Sequence, residues 1–183
     1  TRMYAPEDFG LLNLFLSIGG VLTLISIAEY QYAIVLPKEE KDAVSVFHVG
    51  IWALFCSTIC ISVSVIFSDS ISLLFKTPAL SDIYWLLPVY VFIMGLWNLL
   101  NYWYVRQQNF GTISVFQIFQ SVLSSGSKIV LGLMHILRTG MVYSVVLAPI
   151  ISIVCICVSG WRKIIPLLHF SWSNILKKAK EYK

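Results

Sequence analysis

"FGLLNLFLSIGGVLTLISIA", residues 9–28, contains no acidic or basic side chain. An α-helix rises 1.5 Å per residue and the hydrocarbon core of a bilayer is about 30 Å thick, so a run of this length can cross it. Four more runs free of Asp, Glu, Lys and Arg follow, at 43–68, 83–105, 107–127 and 139–161. They lack strict alternation and far exceed the 9–11 residues of a barrel strand, which selects helices. In lipid, a helix also satisfies its own backbone. The expected fold is therefore all-α, a polytopic transmembrane bundle with about five spans near 10–35, 43–68, 83–105, 110–137 and 140–161.

The whole chain agrees with that reading. Of its 183 residues, 58% are hydrophobic and 12% charged, with a mean hydropathy of +0.81; a soluble domain is roughly a quarter charged. All four cysteines, Cys56, Cys60, Cys155 and Cys157, fall inside spans and are expected to be buried as small apolar residues, with neither disulfide nor metal implied. No P-loop or metal-ligand spacing occurs, and no cofactor is expected.

Charge orients the bundle. On one side of the membrane lie Arg2, Lys76 and Arg138; on the other lie Lys38, Lys41, Arg106, Arg162, Lys163, Lys177, Lys178, Lys180 and Lys183. The bias places the second side in the cytoplasm and residue 1 on the outside. The net charge of +4 then reads as topology, and nucleic acid is not an expected partner. No cleavable signal precedes the first span, so an outside start implies a preceding span and a longer parent protein.

Local signals sharpen the spans. Pro6, Glu7 and Asp8 suit a helix start, a proline in the first turn followed by acids that favour the helix dipole. Gly19 and Gly20 permit close helix approach. Pro88 predicts a kink in the third span, since proline removes one ladder bond. Ser and Thr of the second span can bond back to their own helix, and the stretch 69–82 is a hydrophilic connection too short for a catalytic domain. Residues 162–183 mix aromatic and basic residues and read as an amphipathic cytoplasmic segment leading to a second half.

Polar residues inside the spans are the functional candidates. Glu29, near the cytoplasmic boundary, is either a packing or snorkelling carboxylate or a cavity-lining group. Asn98 and Asn101, three apart, share a helix face and serve either interhelical hydrogen bonds or a polar substrate. The fourth span is the most informative. With Ser114 set at zero and about 100° per residue, Gln117 falls near 300°, Ser121 near 340°, Ser124 near 280°, Lys128 near 320° and His135 near 300°. They form one narrow face, flanked by Gln120 and Ser127, with apolar residues elsewhere. Three readings of Lys128 stand side by side: an anion contact in a water-filled cavity, a snorkelling cation, or one half of a structural ion pair.

At "TRMYAPEDFG" (1–10), "EYQYAIVLPKEEKDA" (29–43), "LPVYVFIMGLWNLLNYWYVRQQNFGTIS" (87–114) and "AKEYK" (179–183), the chain resembles the bacterial polysaccharide biosynthesis flippases that export O-antigen and capsule units. Their superfamily also contains multidrug extruders and peptidoglycan lipid flippases. The resemblance implies a transporter of two pseudo-symmetric bundles, with this chain as the second to sixth helices of the first, and no enzymatic activity. It also implies a central cavity with cationic groups that takes an undecaprenyl-pyrophosphate-linked oligosaccharide. On that reading Ser114, Gln117, Ser121, Ser124 and Lys128, with Asn98, Asn101, Arg106 and Glu29, line the path. The partners implied are the lipid-linked oligosaccharide, membrane lipids, the remainder of the transporter and other polysaccharide assembly proteins. Alternatives are a multidrug or cation extruder, a membrane-embedded glycan-lipid enzyme, and an accessory subunit whose stripe binds a partner helix. An extruder favours acids in its cavity, and an enzyme needs convergent acid, base or nucleophile groups.

Overall fold

The computed structural model describes residues 4–133 and 137–168. Among them every regular element is helical: α1 (Pro6–Ile27), α2 (Tyr30–Ala33), α3 (Glu40–Ser64), a 3₁₀ turn (Val65–Phe67), α4 (Ser68–Leu74), α5 (Ala79–Tyr84), α6 (Leu86–Arg106), α7 (Phe110–Leu133), α8 (Leu137–Ser159), α9 (Trp161–Ile164) and a final 3₁₀ turn, Ile165–Leu168. Four segments are long and apolar enough to cross a membrane: Pro6–Ile27, Glu40–Leu74, Leu86–Arg106 and Gly140–Ser159. The chain is a polytopic helical bundle. The fifth long helix, α7, has 24 residues, and its serines, glutamines and lysine make it less apolar than the other four.

The helix ends show why these boundaries arise. Pro6 opens α1; the Asp8 carboxylate accepts a hydrogen bond from the Ala5 amide at 3.0 Å, and the Asp8 amide donates to the Ala5 carbonyl at 3.1 Å. The expected first span, 10–35, stops early. Ala28 and Glu29 both take left-handed φ values of 47° and 59°, which ends α1 at Ile27 and sets α2 apart. Glu29 is consequently exposed, outside the long helix. Pro88 acts as expected: its missing amide would have reached the carbonyl of Tyr84, the last residue of α5 before the break at Trp85.

The second span runs farther than 43–68. It continues through the 3₁₀ turn and α4 to Leu74, so part of the expected connection is helix. The buried residues of α3 all lie between Ala43 and Leu54; beyond α3 Ser72 is buried, while Ile66, Phe67, Leu73 and Leu74 are exposed. Cys56 and Cys60 are exposed as well, contrary to the expected burial, because they stand on this uncovered half of α3. Ser45, Thr58 and Ser62 bond back to carbonyls four residues earlier, and the His48 ring does the same.

α6 is the central helix, packed against α1, α3, α7 and α8. Its seam with α3 is a reciprocal exchange of small and large residues. Gly50 faces Leu99, and Gly95 faces Leu54. Farther along the same seam the rings of Phe47 and Trp103 meet edge to face at 6.2 Å. On the α1 side, Gly19 lies under the ring of Tyr90, which also meets Phe15 at 5.3 Å; Gly20 has open space around it.

Long-range contacts sort the ends into two levels. Tyr4 reaches Lys128, placing the start of α1 beside the far end of α7. At the other level Arg106 reaches the carbonyls of residues 34–38, and Tyr104 abuts Gly160. Lys38 and Arg106 thus share one end of the bundle, as the charge pattern requires.

Candidate functional site

α7 is the most lightly covered long helix: among its described residues only Gly132 is buried. It packs chiefly against α8, with Ile113 and Phe116 turned to the core. Val115, Ile118, Val122, Ile129, Val130 and Leu133 form an exposed apolar arc. Between that arc and the packed edge runs the polar stripe. Ser114, Gln117 and Ser121 are exposed, while Ser124 and Lys128 are half-buried.

A groove of about 520 Å³ follows the stripe, lined by Gln117, Gln120, Ser121, Ser124 and Ser125. All five belong to α7, so among the described residues no other helix closes over it. Their side chains also differ from several hydroxyls of the other helices. Thr23, Ser45, Thr58, Ser62, Ser152 and Ser159 each donate to a carbonyl four residues earlier. The stripe residues Ser114, Gln117, Ser121 and Ser124 make no side-chain hydrogen bond among the described residues. Their donors and acceptors remain open to a ligand or water.

Lys128 stands at one end of this groove. It lies 18 residues beyond Phe110 in α7, about 27 Å along the axis, at the level of the segment before α1. There the Tyr4 hydroxyl donates to the Lys128 backbone carbonyl at 2.6 Å. Burial, and then the Asp8 carboxylate, raise the Tyr4 phenol above its ordinary pKa, so it remains a protonated donor across the neutral range. The lysine does not itself line the groove; it lies one turn beyond Ser124 near that end of the bundle, where a long side chain reaches the interface at little cost.

The other candidates are placed elsewhere. Asn98 and Asn101 are half-buried on α6 and do not line the groove. Arg106 has a different use: its guanidinium donates to the carbonyls of Pro37 at 2.5 Å, Ile34 at 3.3 Å and Lys38 at 3.4 Å. It pins the α2–α3 connection to the end of α6. Glu29 is at that same end, remote in the chain and in level from Lys128. His135 and residues 169–183 lie outside the described residues. Sequence reasoning placed Gln120 only beside the stripe and missed Ser125 and Tyr4; the first two lie within one residue of stripe positions, and Tyr4 carries no local signal. No group of His, Cys, Asp and Glu able to hold a metal occurs among the described residues.

An all-helical membrane bundle with one hydrophilic, uncovered helix face narrows the families to consider. The family model described as polysaccharide biosynthesis protein matches residues 1–180. The chain belongs to the polysaccharide biosynthesis protein family. No curated protein and no solved structure matches it. Family membership gives this polysaccharide biosynthesis protein a part in the synthesis or export of polysaccharide at a membrane.

Proposed function

We propose that the protein moves a lipid-linked oligosaccharide, an undecaprenyl-pyrophosphate-linked repeat unit, across the bacterial inner membrane, and that α7 forms part of the path. One observation carries this reading: the stripe hydroxyls and amides face open space and make no side-chain hydrogen bond among the described residues, whereas six hydroxyls of the other helices are spent on their own backbone. Amides and hydroxyls match sugar hydroxyls as donors and acceptors. A lysine one turn beyond Ser124 on the same face matches the diphosphate. The path completes against the remainder of a two-bundle transporter, whose alternating access moves the cargo.

Transport and synthesis leave different residues behind in the cell. Deleting the gene is expected to stop surface polysaccharide while finished lipid-linked units accumulate in the membrane, and restoring the gene clears them. Disappearance of the finished units themselves would favour the glycan-lipid enzyme instead.

A further inference from the structure

Residues 124–127 of α7 read Ser-Ser-Gly-Ser, four consecutive small residues of modest or poor helix propensity. Nothing stands within 4 Å of the place a Cβ on Gly126 would take, and none of the three serines makes a side-chain hydrogen bond among the described residues. Paired Gly and Ser are a cause of helix bending.

The neighbouring helix is weakened at the same depth. α7 ends at Leu133, α8 begins at Leu137, and the two pack along each other as an antiparallel pair. Pro149 lies inside α8 and has no amide to give the carbonyl of Val145. That carbonyl is about 12 Å along the axis from Leu137, and residues 124–127 are roughly 9–14 Å from Leu133. Ser152, buried one turn beyond Pro149, bonds back to the Ala148 carbonyl at 2.9 Å, a contact that also favours a bend.

The two ends of α7 are held differently. Ile113 and Phe116, toward its start, pack against the core. Past the Ser-Gly run, the bond from the Tyr4 hydroxyl to the Lys128 carbonyl is the one side-chain hydrogen bond between α7 and another segment among the described residues. It acts on the residue directly after Ser127, where it opposes a swing of this end away from the segment before α1.

We propose that the ends of α7 and α8 on the Tyr4 side form an arm that pivots at residues 124–127 and Pro149, with the Tyr4 hydroxyl as its latch. Ser124 and Ser125 line the α7 groove, so the pivot widens or narrows that end of it. The inference concerns movement of the helix pair and holds whatever the groove takes.

The test uses the intact protein in lipid nanodiscs, its four native cysteines replaced by serine, with distances between paired spin labels read by pulsed electron paramagnetic resonance. Leu73→Cys with Ile129→Cys spans the Tyr4 end and Leu36→Cys with Val115→Cys the basic end; all four positions are exposed. Tyr4→Phe keeps the ring beside Phe9 and removes the hydroxyl. It is expected to raise the population of a second distance in the first pair about fivefold, the change that one neutral hydrogen bond supports, and to leave the second pair unchanged. Tyr4→Leu reads the same shift should the first variant fail to fold. Adding Gly126→Ala and Pro149→Ala, which favours helix in α7 and restores the missing amide in α8, removes the second distance. An unchanged first pair in both Tyr4 variants, equal changes in the two pairs, or a second distance that survives the two alanines would each overturn the hinge.

Discussion

Gly95→Leu is expected to cost the protein most of its folded population in the membrane. At position 95 a Cβ meets the Leu54 side chain, and at position 50 a Cβ falls 2.8 Å from Leu99 Cδ2. The seam between α3 and α6 therefore has no room at either glycine. Extra methylenes in a packed seam cost about 1–3 kcal/mol and force backbone shifts, and α6 is the helix on which α1, α3 and α8 all rest. A shift there propagates to every neighbour. The variant should show reduced protein level and a lower midpoint of thermal unfolding in detergent. The specific sign of this packing is coupling: Leu54→Ala, harmful alone, should recover part of the loss when combined with Gly95→Leu, since the two positions share one space. Strict additivity of the two substitutions would show that Leu54 is not what confines residue 95.

Lys128→Ala is expected to lower export of surface polysaccharide by roughly ten- to a hundredfold at equal protein level, the range that follows from losing a charged hydrogen bond of about 1.5–3 kcal/mol. Lys128→Arg should retain much of the activity, because a guanidinium also pairs with phosphate oxygens. The Tyr4 contact uses the backbone carbonyl of residue 128, so neither substitution removes it, and a loss of export reports on the ammonium itself. If Lys128 only snorkels to the interface, the alanine variant will export normally. The readout is surface glycan normalised to the amount of protein in the membrane.

Much of the bundle is legible in the sequence because uncharged runs of spanning length leave a helix as the one way to satisfy the backbone in lipid. The start of α1 was readable from Pro6, Glu7 and Asp8, and the α5–α6 break from Pro88. The end of α1 was not. No glycine or proline stands at residues 28 and 29, and two left-handed residues of ordinary type occur there only where surrounding structure holds them. The clamp on the following α2–α3 connection comes from Arg106, about seventy residues away in the chain, and its use on the carbonyls of residues 34–38 has no sequence signature. Arg106 drew attention as a cation at a membrane boundary and proves to serve the backbone. The stripe on α7 was legible from its angular clustering, whereas its neighbour Ser125 and the hydroxyl of Tyr4 join the site through three-dimensional placement.

The reading of α7 rests on its polar face meeting water or cargo inside the membrane, and thiol accessibility tests this most directly. In the intact protein with Cys56, Cys60, Cys155 and Cys157 replaced by serine, single cysteines are placed by Gln117→Cys, Ser121→Cys and Ser124→Cys on the stripe, and by Phe119→Cys and Val130→Cys on the apolar arc. A charged, water-soluble maleimide should label the three stripe positions in native membranes and leave the two arc positions unlabelled. Stripe thiols as inert as those of the arc would contradict a hydrated path along α7.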